Sequence, residues 1–126
     1  MALGGGVRKR EKEGEKIPTR FRSKRQEEQV AKAIGGQRTP NSGATMFQKG
    51  DVKADKLLVE CKTKMTPSES ISIKKEWLIK NREEAVFMGK PYSVVAFNFG
   101  PDESNYYILD EDLFIDFLDF LNNKEL

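Results

Sequence analysis

Glu60 and Lys62 stand two residues apart in the apolar run Leu57-Leu58-Val59-Glu60-Cys61-Lys62, and Asp51 precedes them in Gly50-Asp51. Strand side chains alternate faces, so Leu57, Val59 and Cys61 point one way and Leu58, Glu60 and Lys62 the other. A carboxylate and an ammonium on one strand face are neighbours, and burying either is costly unless it is paired or holds a metal. Val52 and Ala54 alternate with Lys53 before a turn at Asp55-Lys56, which predicts a short strand that carries Asp51 beside Glu60. Two carboxylates on adjacent strands make a hard oxygen site, suited to Mg²⁺ or Mn²⁺ rather than zinc. Such an ion would offset the burial cost of the acids, polarise a phosphodiester and help form a hydroxide nucleophile. Lys62 would position the attacking water or stabilise charge developing on phosphorus. The competing reading is a salt bridge on the solvated face of an antiparallel pair. These residues alone leave the two open.

The elements that must position them read in order as αβββαββα, a mixed α/β sandwich around a small sheet. A helix is expected over 21–34, stopped by Gly35-Gly36. Val30, Ala31 and Ile34 form its apolar stripe, and position 27 falls on the same stripe at helical spacing. Glu27 is thus either an acid suited to the macrodipole near the helix start, the simpler reading on the helix alone, or a third carboxylate for the site. Gln37 to Thr39 suggests a short strand, and Pro40-Asn41-Ser42-Gly43 a turn or mobile loop. Residues 64–72 read as loop with a short extended segment at 70–73. A helix over 74–88 carries Trp77, Leu78, Asn81, Ala85 and Met88 along one side, closed by Gly89, and Trp77 is expected in the core. Strands follow at 92–99 and 106–109, then a helix over 111–122. In that last helix Asp112, Asp116, Asp119 and Asn123 make a narrow polar stripe, and the rest is Leu, Phe and Ile. So wide an apolar surface is either deeply docked or a subunit interface, and in a chain this small a homodimer is expected.

The chain has 126 residues, 37% hydrophobic and 33% charged, enough for one core. It has no histidine, which excludes Ser-His-Asp triads and most zinc sites. The single cysteine, Cys61, allows no internal disulfide and fits a reducing, cytoplasmic setting. No stretch is long and apolar enough for a membrane span. The net charge of +2 hides a polarity along the chain. Residues 1–25 carry nine Lys/Arg against three Glu, and residues 101–126 one Lys against eight acids. Residues 1–20 lack apolar periodicity and read as a flexible basic arm, either a phosphate contact or a solvated tail.

Taken in order, these pieces resemble the PD-(D/E)XK nuclease superfamily, and within it the archaeal-type Holliday junction resolvases and their viral relatives. Glu27-Glu28-Gln29-Val30 is similar to the first-helix motif, with Glu27 as its catalytic acid. Arg38-Thr39-Pro40-Asn41-Ser42-Gly43 is similar to the Arg-Ser-Pro-x-Ser-Gly loop, with Ser42 at the serine implicated in catalysis. Gly50-Asp51 stands where the family has Pro-Asp, and Glu60-Cys61-Lys62 where it has Glu-Val-Lys. The segment 72–99 is similar to the family's helix, Gly-x-Pro and following strand. The spacing from Asp51 to Glu60 is short, and the basic arm is an addition.

The resemblance implies a restriction-endonuclease-like core over residues 21–126 and a homodimer that resolves four-way DNA junctions by paired nicks. Mg²⁺ or Mn²⁺ would be held by Asp51, Glu60, Glu27 and the Cys61 backbone carbonyl, with no organic cofactor. Candidate DNA contacts are Arg38, Lys49, Lys53, Lys64, Lys74 and Lys75, with Arg8, Lys9, Arg10, Arg20, Arg22, Lys24 and Arg25 in the basic N-terminal stretch. The alternatives are a nuclease acting on other branched or duplex DNA, a non-catalytic DNA-binding module on this scaffold, and a structural protein with a salt-bridged strand.

Overall fold

The structure, a computed structural model, describes residues 19–40 and 51–123, with side chains from residue 22 onward. Helix α1 spans Thr19–Ile34 and is followed by strands β1 (Gln37–Arg38), β2 (Val52–Lys53) and β3 (Leu57–Lys62). Helix α2 (Lys75–Phe87), strands β4 (Tyr92–Phe97) and β5 (Tyr106–Ile108), and helix α3 (Glu111–Asn123) complete the described elements. Among the described residues the order is the expected αβββαββα. Helix α1 starts two residues earlier than the sequence predicts, so Arg20 belongs to the helix rather than to the arm. The 70–73 segment forms no strand.

The five strands form one mixed sheet in the order β1-β2-β3-β4-β5. Neighbours are antiparallel except β3 and β4, which run parallel because α2 crosses between them. Both α1 and α2 end where glycine allows it. Gly35 and Gly89 take φ of 70° and 73°, and the following amides reach back, Gly36 N to Ala31 O at 2.8 Å and Lys90 N to Ala85 O at 2.8 Å. A left-handed glycine with that return bond is a Schellman stop, and it turns the chain sharply into the next strand.

The expected alternation in β3 holds. Val59 packs with Val30, Val52 and Ala96 under α1, flanked by Leu57 and Cys61. The opposite face carries Leu58, Glu60 and Lys62 toward α2. There the buried Asn81 amide donates to the carbonyls of Leu58 (3.3 Å) and Val94 (3.1 Å), tying the helix to β3 and β4 together. Charged residues therefore occupy the end of a strand covered by a helix on each face. Helix α3 differs from the other two. It has no buried residue and packs only marginally against any other described element. No helix among the described residues is long and apolar enough to cross a membrane.

Candidate metal and nucleic-acid site

Asp51 enters β2 with its backbone stitched to both neighbours. Its N–H donates to Val59 O at 2.9 Å, and its carbonyl accepts from Thr39 N at 3.1 Å. Held there, its Oδ2 accepts from the Cys61 amide at 2.7 Å. That amide lies beyond the end of β2, so a side chain replaces the missing ladder partner. Residues two apart on a strand present their N–H and C=O to the same edge, which turns the Cys61 carbonyl toward Asp51 as well.

Glu60 and Lys62 do share a face, with Lys62 Nζ 3.3 Å from Glu60 Oε2 and both side chains less than a third exposed. Lys62 Nζ also lies 4.6 Å from the Trp77 ring centroid. Trp77 is half-buried and outside the core cluster; it forms a wall for the lysine, where a cation over an aromatic face is favourable. Glu27 faces inward from α1 and is 14% exposed, and its Oε1 accepts from Arg38 Nε at 3.1 Å.

The three carboxylates feel one another. Burial pushes the Asp51 carboxyl up to about 7, helped by the charges of Glu60 and Glu27 and opposed by the Cys61 amide and Lys62. The Glu27 carboxyl is also raised, first by burial, with Arg38 opposing and the Glu60 charge adding. Burial and the same three acids raise the Cys61 thiol, which leaves it protonated and poor as a nucleophile. Like charges kept together in a partly desolvated place favour either a proton or a cation. Among the described residues, however, no three acidic or cysteine side chains close on a common point. Each acid has an oxygen engaged elsewhere: Asp51 with Cys61, Glu60 with Lys62, Glu27 with Arg38. The donor set of carboxylates and an edge-facing carbonyl fits a hard divalent ion, which would take over these contacts.

Asp51, Glu60, Lys62 and Glu27 are thus brought to the end of β3. Ser42, Lys49, Arg8, Lys9 and Arg10 lie outside the described residues, as does the side chain of Arg20. Arg38 turns its Nε to Glu27. Arg25 pairs with Asp102 through Nε (3.1 Å) and Nη2 (2.7 Å), tying α1 to the β4–β5 turn. Lys24, Lys74 and Lys75 are exposed, and Lys53, Lys64 and Arg22 half-buried.

A buried polar layer beneath the site is absent from the sequence expectations. Gln26 is 2% exposed, and its Nε2 donates to Lys62 O (2.9 Å) and Asn105 Oδ1 (3.1 Å). Asn98, 1% exposed, accepts from Thr63 Oγ1 at 2.7 Å and donates to Asn105 Oδ1 at 3.4 Å. Gln26 lies four residues before Val30, on the same helical stripe, so periodicity marks it as inward. Its polarity hid it.

Comparison of this chain with protein-family models, with curated proteins and with solved structures finds no match.

Proposed function

We propose that the chain is a metal-dependent DNA endonuclease of the PD-(D/E)XK type, with a restriction-endonuclease-like core, acting on branched DNA as a Holliday junction resolvase. The observation that carries this reading is the gathering of Asp51, Glu60 and Lys62 at the end of β3, with Glu27 arriving from α1 and the Asp51 carboxyl raised by burial and like charge. Asp51, Glu60 and the Cys61 carbonyl would hold Mg²⁺ or Mn²⁺, with Glu27 completing or orienting the set. Such an ion supplies a Lewis acid for the phosphodiester and lowers the pKa of water.

The chain's own residues do the rest. Lys62, released from Glu60 and kept in place by Trp77 and by the Gln26 bond to its carbonyl, presents a positive charge to the scissile phosphate. Arg38 holds Glu27 in orientation. The exposed Lys74 and Lys75, and Lys24 on α1, are suited to backbone phosphates, which position DNA without reading sequence. Paired nicks on opposite strands require two such sites and hence two copies, in a cytoplasmic setting that keeps Cys61 reduced.

The test is a cleavage assay with Mg²⁺ or Mn²⁺ on synthetic four-way junctions, flaps, linear duplex and single strands. Junctions are cut by paired nicks. Asp51→Asn and Glu60→Gln lower the rate at least about 10²–10³-fold, the range for losing one preorganised electrostatic group, while junction binding persists. Equal cutting of linear duplex removes the junction assignment and keeps the nuclease. Salt-sensitive binding with no cleavage under either ion removes the nuclease and leaves a DNA-binding module.

A further inference from the structure

Helix α3 is amphipathic with its apolar side turned out. Asp116 Oδ2 accepts from the Tyr92 hydroxyl at 2.9 Å, and Asp112 lies against the end of α2 near Arg82 and Lys90, so these two acids are turned toward the helix's own domain. On the far side Phe114, Leu118 and Leu121 are 47, 37 and 43% exposed, flanked by Ile115 and Phe117 at 45 and 47%. Only Leu109 and Asp110 separate β5 from α3, and Asp110 Oδ1 caps the Leu113 amide at 2.9 Å. With so short a tether, rolling the apolar face onto its own domain would break both anchors. An isolated 13-residue helix is marginal in water and is stabilised by burying its apolar face.

The same chain offers a receiver. A cleft of about 300 Å³ lies between α2 and strands β4 and β5, walled by Leu78, Ile79, Val95, Ile108 and Leu109. We propose that α3 seats its outward face in this cleft of a second copy, each chain giving its helix to the other in a two-fold exchange.

Area selects this arrangement over helix on helix. Aromatic side chains bury about 150–250 Å², so at these exposures the five outward residues offer roughly 400 Å². Two such faces pressed together would bury about 800 Å², the size of a lattice contact. Exchange adds the exposed cleft walls Leu78, Ile79 and Leu109 of both copies and brings the total to about 1,200 Å², where specific interfaces begin. Helix α3 carries four acids and no Lys or Arg, so nothing on it would attract nucleic acid or an anionic lipid surface as the occupant.

This rests on the two copies that the proposed paired nicks require, names the surface that joins them, and is tested without DNA. Light scattering of the full chain at tens of micromolar should give twice the 14.4 kDa chain mass. Leu118→Glu on the helix and Ile79→Glu on the exposed cleft rim should each give a monomer with the circular dichroism of a folded domain. A monomeric unsubstituted chain overturns the proposal, and so does a dimer that survives Ile79→Glu.

Discussion

The end of β3 and helix α3 break the rule of polar outside and apolar inside in opposite directions. At β3, Glu27, Glu60 and Lys62 are held with side chains no more than 30% exposed, and a network of backbone and amide bonds fixes the strand that carries them. On α3, Phe114, Ile115, Phe117, Leu118 and Leu121 stand in solvent, and an exposed hydroxyl–carboxylate bond ties the helix to the sheet. A group of like charges that repel must be held by the surrounding fold, whereas an apolar face needs only something to cover it. Each is relieved by a different addition, positive charge at the first and apolar surface at the second. The first addition must displace the present ion pairs and the Cys61 amide bond to Asp51; the second is the free energy of an interface.

The largest effect expected from breaking the first region is a gain in stability. Asp51→Asn keeps an acceptor for the Cys61 amide and removes the charge that burial and Glu60 disfavour, so the metal-free variant should melt higher than the parent. If the acids were a structural salt-bridge network, the same change would lower the melting temperature. The pH dependence follows from the same cause. With its folded carboxyl raised to about 7 from an ordinary 3.8, the native state holds a proton that the unfolded chain has already released between those values. Stability therefore falls as pH rises from about 4 to about 7 and levels off above it. Thermal melts at pH 5 and pH 8 in chelator should show this loss, Mg²⁺ should restore stability at pH 8, and Asp51→Asn should flatten the profile. A parent that is equally stable at both pH values would mean that Asp51 is ionised throughout.

The contrast between the regions explains what the sequence made legible. Period-two alternation places Glu60 and Lys62 on one face because each neighbouring residue is unambiguously apolar or charged, and the helix stops at Gly35 and Gly89 are local chemistry. Glu27 was ambiguous on its helix alone, since an inward acid near a helix start suits both the dipole and a site. Its pairing with Arg38 depends on how β1 returns beside α1, a tertiary fact. The Gln26, Asn98 and Asn105 layer was missed because amides carry no hydrophobic signal, so their burial follows from the partners they meet rather than from their type. Trp77 reads as core from its place on the α2 stripe, yet its position near the start of the helix puts it at the edge beside Lys62. For α3 the apolar pattern was plain, and the missing information was its orientation, which rests on Tyr92 meeting Asp116.

A smaller effect should come from the support beneath the site. Gln26→Ala leaves the Lys62 carbonyl without its amide donor in a buried setting, which costs about 1–3 kcal/mol. Lys62 loses its positioning, and groups that orient a site in this way are typically worth about 10–100-fold in activity. We expect kcat on junction DNA to fall within that range with KM little changed, and Gln26→Met, which keeps the length but cannot donate, to fall with it. If Gln26→Met kept full activity, the layer would be filling space rather than aiming Lys62.

The smallest effect should lie at the other pole of the comparison. Tyr92→Phe removes the hydroxyl that turns the acidic stripe of α3 toward the sheet, and the bond is exposed, so water replaces it at little cost. The melting temperature should stay within about 2 °C of the parent, as for an ordinary surface substitution. Hydrogen exchange is where the change should appear. Amides of α3 should exchange faster in the monomeric Leu118→Glu background once Tyr92 is also replaced, because the helix then loses its hydroxyl bond to the sheet. In the unsubstituted dimer the same change should be nearly silent, since there the apolar face, not the hydroxyl, holds the helix. A large loss of global stability on Tyr92→Phe would instead make α3 a packed part of its own domain, and the two regions would no longer be opposites.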